Sequence, residues 1–426
     1  MTAPRRSHIH PAWIVLGGLT FCIFAASGLR SVFGVYIKPM ETEFGWSRGA
    51  LSGAAALSLL LYGAVGPFLG RFADRVGPRG IISACVVLVG LGSVASAFVQ
   101  SLWHVYATAG VLMAVGAGGV TMTTGASVVA RWFEARRGLA IGLVGASLSA
   151  GQLVIFPLST FLILHFGWRM SFLGLGVAVL ALALPVALAL IKNDPEARGI
   201  TPYGATGPVR TPAEVAAGQK AGRVSVVEAG RTPQFWLLMA TYFVCGYTTG
   251  GLILTHFMPH ALEHNFTEFQ ASAALAVMGA LNVIGTIGSG FICDRIGRRG
   301  PLATYYFVRG LSLLFLIYVW DVPSLHVWAA IFGLNYISTV PPTTTMTANI
   351  FGRYSVGELS GWIFFSHQVG AALGAAVGGW IYEWTGGYTA AFVSAAVLAF
   401  IAAGLSMAIR EEPVSVRPPL PAPATS

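Results

Sequence analysis

GRFADRVGPRG, from Gly70 to Gly80, and GFICDRIGRRG, from Gly290 to Gly300, are one loop written twice. The copies are offset by 220 residues in a chain of 426, and six of eleven positions are identical: Gly70/Gly290, Asp74/Asp294, Arg75/Arg295, Gly77/Gly297, Arg79/Arg299 and Gly80/Gly300. Each copy lies between two long apolar segments. A charged loop recurring at half the chain length indicates two similar membrane bundles joined in one chain. In that design a binding site falls between the repeats.

The composition agrees. Hydrophobic residues make up 55% of the chain and charged residues 10%, with mean hydropathy +0.72; a soluble domain carries roughly 25% charged residues. The apolar runs reach about 20 residues, enough to cross a hydrocarbon core of about 30 Å as a helix. The 53 glycines suit close helix packing in lipid. Cys22, Cys85, Cys245 and Cys293 all fall in apolar runs far apart, which reads as buried thiols rather than disulfides or a metal site. The first apolar run is too long for a signal peptide and is expected to remain as a helix.

Twelve spans are predicted: about 12–37, 47–70, 80–100, 103–130, 137–161, 168–191, 233–259, 270–292, 300–320, 325–348, 357–382 and 388–410. The one long polar stretch, Lys192 to Thr232, divides them six and six. The expected fold is therefore an all-α membrane protein of twelve transmembrane helices in two pseudo-symmetric six-helix bundles. The bundles are 1–191 and 233–410, joined by a cytoplasmic linker, 192–232, and followed by a disordered cytoplasmic tail, 411–426.

Charge sets the orientation. With both termini inside, 20 of the 25 Lys and Arg are cytoplasmic, among them Arg5, Arg6, Arg131, Arg136, Arg137, Arg298 and Arg417. Lys38, Arg48 and Arg169 are outside, and Arg30 and Arg309 lie within spans. This asymmetry satisfies the positive-inside rule. It also accounts for the net charge of +9 as topology and anionic-lipid contact, not nucleic-acid binding. All 16 carboxylates fall outside the expected spans or, like Glu358, at the very edge of one, so the interior holds two arginines and no acid.

With these features the chain resembles the major facilitator superfamily, in its six-plus-six layout and in the loop between spans two and three, whose second copy, DRIGRR, fits the superfamily signature better still. A narrower resemblance is to the monocarboxylate-porter branch, which includes oxalate/formate exchangers. RWFEARRGLAIGLVGAS, Arg131 to Ser147, looks like that branch's entry to span five, and FGVYIKPMETEFGWSRGALSGA, Phe33 to Ala54, like its connection from span one to span two. Arg30 falls where eukaryotic members carry a lysine implicated in substrate and proton handling. The chain departs from the branch at Asn282 and Thr286, where those porters carry an Asp and an Arg in span eight. The Gly-Pro of drug/proton antiporters is absent from span five.

An arginine inside a membrane costs at least about 2.5–3.5 kcal/mol and so faces a cavity or a partner. Arg30 is expected to bind the substrate's anionic group; the alternative is snorkelling or pairing with backbone carbonyls. Arg309 lies in span nine, a peripheral support in the superfamily the chain resembles, and so reads better as a structural residue bonded to a neighbouring helix. His367 is either a carrier of a coupled proton or a neutral hydrogen-bonding core residue. His256 suits interfacial hydrogen bonding, and His260 and His264 read as loop residues. Asn335, Tyr336 and Thr339 form a polar face in span ten ahead of Pro341-Pro342, which should kink the helix. Phe364 and Tyr336 would cover the apolar part of a substrate. Gln152, Asn282, Tyr242 and Tyr247 are further cavity candidates. Asp74, Arg75, Asp294 and Arg295 read as a cytoplasmic gate in which a carboxylate caps a neighbouring helix N-terminus.

The function expected is secondary transport of a small organic anion, a carboxylate, by alternating access of the two bundles. The alternative is a transporter or exporter of neutral or amphiphilic compounds; a non-transporting membrane sensor is a third. An enzyme is the least supported class, because no nucleophile–base pair, phosphate loop or metal spacing stands out. The expected partners are the anionic substrate, a co-transported proton or counter-anion, and the lipid bilayer, with no cofactor and no metal. The chain is expected to act as a monomer in the cell membrane with both termini cytoplasmic.

Overall fold

The computed structural model of the protein describes residues 9–413. Arg5, Arg6, Arg417 and the expected tail beyond residue 413 lie outside the described residues. Among the described residues the only extended pairing is an isolated bridge between Phe133 and Tyr203; the rest of the regular structure is helical.

Eight helices are long and apolar enough to cross a bilayer by length and composition. One of these, Arg137–Leu190, contains two crossings. At 54 residues it is far longer than a bilayer requires, and Gly167 breaks it with φ 81° and ψ 160°. Only glycine adopts that backbone without strain. The fold-back is visible in packing: Ser171 Oγ lies 2.8 Å from Tyr36 Oη, while Leu190, at the far end, meets Gly18. Three further crossings complete twelve: Arg299–Leu316, the broken pair Val322–Asn335 and Val340–Phe351, and Val356–Thr385.

The helices run past the ends expected from hydropathy. Span one reaches Phe44, and Asp74 and Asp294 lie in the last turns of Gly66–Val76 and Glu268–Ile296. Span seven continues to Glu263, so His260 is a buried helical residue rather than a loop residue, and His264 is its C-cap. Span ten does break, but ahead of Pro341 and Pro342, which occupy the first turn of the second segment. There a missing N–H costs nothing, because first-turn donors have no intrahelical acceptor. Asp321 caps the start of span ten; the Ser324 hydroxyl and N–H hold its carboxyl below the usual range.

The stretch between Leu190 and Pro233 is more structured than its composition suggests. It carries short helices at Glu196–Arg198, Pro212–Ala221 and Val226–Ala229. Tyr203 exchanges backbone hydrogen bonds with Trp132, Glu134 and Ala135, and Glu196 pairs with Arg353 at 2.8 Å.

Contacts between the two bundles concentrate on the face where the described residues begin and end. Span two meets span eleven there, and span five meets span eight. Glycines permit both approaches: a Cβ on Gly70 would overlap the Gly357 carbonyl, and one on Gly290 would overlap that of Gly138. The first glycine of each copy of the repeated loop is thus a helix-crossing point.

Candidate functional site

At mid-depth between the bundles, five side chains form a continuous chain. Arg30 of span one lays its guanidinium 4.0 Å above the Tyr62 ring of span two. The edge of Tyr62 meets Phe364 of span eleven at 5.5 Å and 82°. Phe364 stacks on His367, centroids 5.8 Å apart, and His367 lies 5.1 Å from Tyr242 of span seven. His367 Nδ1 is 3.1 Å from Gln368 Oε1, and the sulfur of Cys245 in span seven lies 3.2 Å from Thr339 Oγ1. The residues converge because Gly246 lets span seven touch the His367 backbone and Gly63 admits the Gln368 side chain.

The electrostatics of this chain are one-sided. Arg30 Nε is buried and finds no acceptor, and no hydrogen bond or salt bridge of Arg30 exists among the described residues. Tyr62 supplies a π face, which stabilises a cation by roughly 0.5–2 kcal/mol, far less than a carboxylate offers. A desolvated guanidinium with unused donors is an anion receptor. Gln152 lies beside it, donating to Ser31 Oγ at 3.1 Å.

Of the other expected cavity residues, Asn282 is already taken up by protein partners. Asn282 donates to Ser149 Oγ at 2.7 Å across the bundle interface and accepts from Ile337 N at 3.0 Å, satisfying a donor freed by the span-ten break. Arg309 is fully buried and donates to the carbonyls of Asn335 at 2.7 Å and Tyr336 at 2.9 Å, the acceptors freed at the same break. Asn335 Oδ1 is buried without a partner, and the Tyr336 ring lies 6.0 Å from Phe332. The structure therefore groups Arg30, Phe364, His367 and, through Ser31, Gln152. It ties Asn335 and Tyr336 to Arg309 instead. His256 donates or accepts at the Ala375 carbonyl, 2.8 Å away.

Beneath the aromatic chain, toward the face where the described residues begin and end, the path closes. Met122, Thr123, Thr343, Thr344 and Ser360 surround a void of ≈ 10 Å³, room for one water. At the mouth itself Asp74 accepts hydrogen bonds from the N–H groups of Gly357 at 3.2 Å and Glu358 at 2.9 Å, and Asp294 from those of Gly138 and Leu139, both at 2.8 Å. Each carboxylate of the repeated loop thus caps a helix of the opposite bundle, where orphan donors and the helix dipole favour an anion. Arg75 makes no such bond, and Arg295 lies 4.0 Å over Phe291.

Sequence reasoning missed Tyr62, Cys245, Ser127 and Arg131. Ser127 donates to Asp74 Oδ1 at 2.8 Å. Arg131 donates to the Asp74 carbonyl at 2.8 Å and pairs with Asp194 at 3.1 Å, holding the loop from beneath. No signal marks Tyr62 in an apolar run. Arg131 had one, its place at the end of a span next to a charged loop.

The sequence profile of the Major Facilitator Superfamily matches residues 19–366 and 289–425. An uncharacterized MFS-type transporter, YcxA of Bacillus subtilis, is 26% identical over 378 residues, covering 87% of each chain. Monocarboxylate transporter 11 of Mus musculus is 27% identical over 377 residues, 85% of this chain and 79% of that protein. The solved structure of the proton:xylose symporter XylE superposes with a TM-score of 0.72 at 14% identity, covering 94% of this chain and 97% of that one.

Proposed function

The chain belongs to the Major Facilitator Superfamily, and from that premise we propose that it moves a small organic anion, a carboxylate, across the cell membrane by alternating access. The face where the described residues begin and end is cytoplasmic in this reading, by its excess of Lys and Arg. The conformation is then outward-facing, with the Asp74 and Asp294 caps as the closed cytoplasmic gate. The observation that carries the substrate class is Arg30, a half-buried guanidinium between the two bundles whose buried Nε has no acceptor. A carboxylate would take its donors in bidentate fashion. Tyr62, Phe364 and Tyr242 would cover the apolar part, with His367 or the substrate itself carrying a coupled proton, or a counter-anion exchanging for it. The distant likeness to proteins named monocarboxylate transporters supports the same class.

The test is uptake of labelled mono- and dicarboxylates into proteoliposomes. Loss of two charge-assisted bonds, about 3 kcal/mol, predicts that Arg30→Gln lowers uptake about 100-fold. Uptake unchanged by this substitution would sink the role of Arg30. The aromatic lining also suits a neutral amphiphile. Thermal stabilisation in detergent by non-anionic compounds alone would favour that second reading.

A further inference from the structure

The structure holds a second cationic site, distinct from Arg30 and bordering the Asp294 cap of the gate just described. A cavity of ≈ 450 Å³ opens at the face where the described residues begin and end, between the start of span five and the end of span eight. Its lining carries four guanidiniums against two carboxylates, a surplus of two positive charges: Arg136 and Arg137 from one bundle, Arg295 and Arg298 from the other, with Glu134 and Asp294.

These charges are poorly compensated. Asp294 already serves the N–H groups of Gly138 and Leu139. Arg137 donates only to neutral acceptors, the carbonyls of Phe133 and Ala130 and the amide of Asn349, while the nearby Glu134 carboxylate is opposed by the positive charges of Arg353 and Arg298. Arg295 rests on the Phe291 ring. Arg298 pairs with Glu411 at 3.1 Å, but its Nε is buried without an acceptor. Among the described residues none of Arg136, Arg137 and Arg295 forms a salt bridge. Arg136 is held at φ 57°, an uncommon conformation for a side-chain-bearing residue, at the N-terminus of span five. Clustered like charges at that density attract a multivalent anion, and guanidiniums match phosphate oxygens in pairs. Basic pockets between membrane helices on the cytoplasmic side are where acidic headgroups bind. Exposed Phe291, Ile292 and Ile296 continue along span eight beside the cavity, an apolar track for acyl chains.

We propose that this cleft binds a phosphate-bearing anion that bridges the two bundles and holds their shared face closed. Arginines of both bundles contact one ligand only while spans five and eight are together. The ligand therefore favours the closed state by its differential affinity. The site stands on its lining alone; its naming as cytoplasmic, and the meaning of closure for transport, rest on the function proposed above.

The test needs no substrate, so it succeeds or fails independently of the carboxylate reading. Protein released from nanodiscs of mixed phosphatidylcholine and phosphatidylglycerol is weighed by native mass spectrometry. Wild type should retain phosphatidylglycerol preferentially, and Arg136→Asn with Arg295→Gln should lower that retention about tenfold; Asn tolerates the left-handed backbone at position 136. Arg299→Gln, outside the cavity lining, should leave it unchanged. In phosphatidylcholine alone, inorganic phosphate that raises the closed population in wild type but not in the double variant identifies a soluble anion as the source. Arg295→Gln by itself serves if the double variant does not fold. Equal retention by wild type and variants, together with no response to phosphate, overturns the proposal.

Discussion

The two aspartates of the repeated loop are equivalent in sequence, yet truncating them should not be equivalent. In the Asp294→Ala variant the N–H groups of Gly138 and Leu139 lose two bonds of 2.8 Å, but Leu139 and position 294 itself line the open ≈ 450 Å³ cleft, so water enters where the carboxylate was. The cost is that of a lost exposed cap, about 1 kcal/mol. Asp74 is 3% exposed, and the N–H groups of Gly357 and Glu358 that it serves are buried in the interface. With alanine there, two buried donors go unsatisfied, a cost of about 3 kcal/mol. At 1.36 kcal/mol per tenfold, the opening equilibrium shifts about 5-fold in the first variant and about 150-fold in the second. If the open state starts at ~1%, it rises to ~5% and ~60% respectively. Spin labels on exposed Val76 and Ile296, at the ends of spans two and eight, report the separation of the bundles by pulsed dipolar spectroscopy. All four native cysteines are buried, so thiol labels go to introduced sites. Equal shifts in the two variants, or a shift under threefold for Asp74→Ala, would refute the argument that burial decides the strength of each cap.

Three further outcomes are expected. Gly290→Leu should raise the open population at least as far as Asp294→Ala, because its side chain meets the Gly138 carbonyl. Gly288→Leu, with open space around its Cβ, should not change the same distance distribution. Arg309→Met should destabilise the fold by about 2 kcal/mol, read as a lower Tm in detergent, since the carbonyls of Asn335 and Tyr336 lose their donor; an unchanged Tm with transport abolished would place Arg309 on the substrate path instead. Uptake that depends on pH between about 5.5 and 7.5 in wild type should become flat in His367→Asn, and a retained dependence assigns the proton to the substrate.

The repeated loop is legible from the sequence because its charges interrupt a strongly apolar text. Its spacing implies the duplication, and hydropathy implies the crossings. Hydropathy does not fix where helices end, because a helix continues through the interface on backbone hydrogen bonds whatever its side chains. That is why His260 proves helical and why Asp74 and Asp294 sit in last turns. Nor does it show which polar residues are already occupied. Asn282 reads as a cavity candidate yet is taken up by the break in span ten, whereas Arg309 satisfies the same break in the structural role its span suggests.

By itself the sequence determined the twelve-helix fold, the twofold repeat and the one-sided charge, since these follow from composition and period, which are properties of the chain read locally. Tertiary structure alone decided which charges meet. It set Tyr62 beneath Arg30 and Phe364 against Tyr62, and joined each loop aspartate to the helix of the other bundle, pairings that span tens to hundreds of residues. It also made two identical aspartates different, because the dielectric around a hydrogen bond depends on what the other bundle covers.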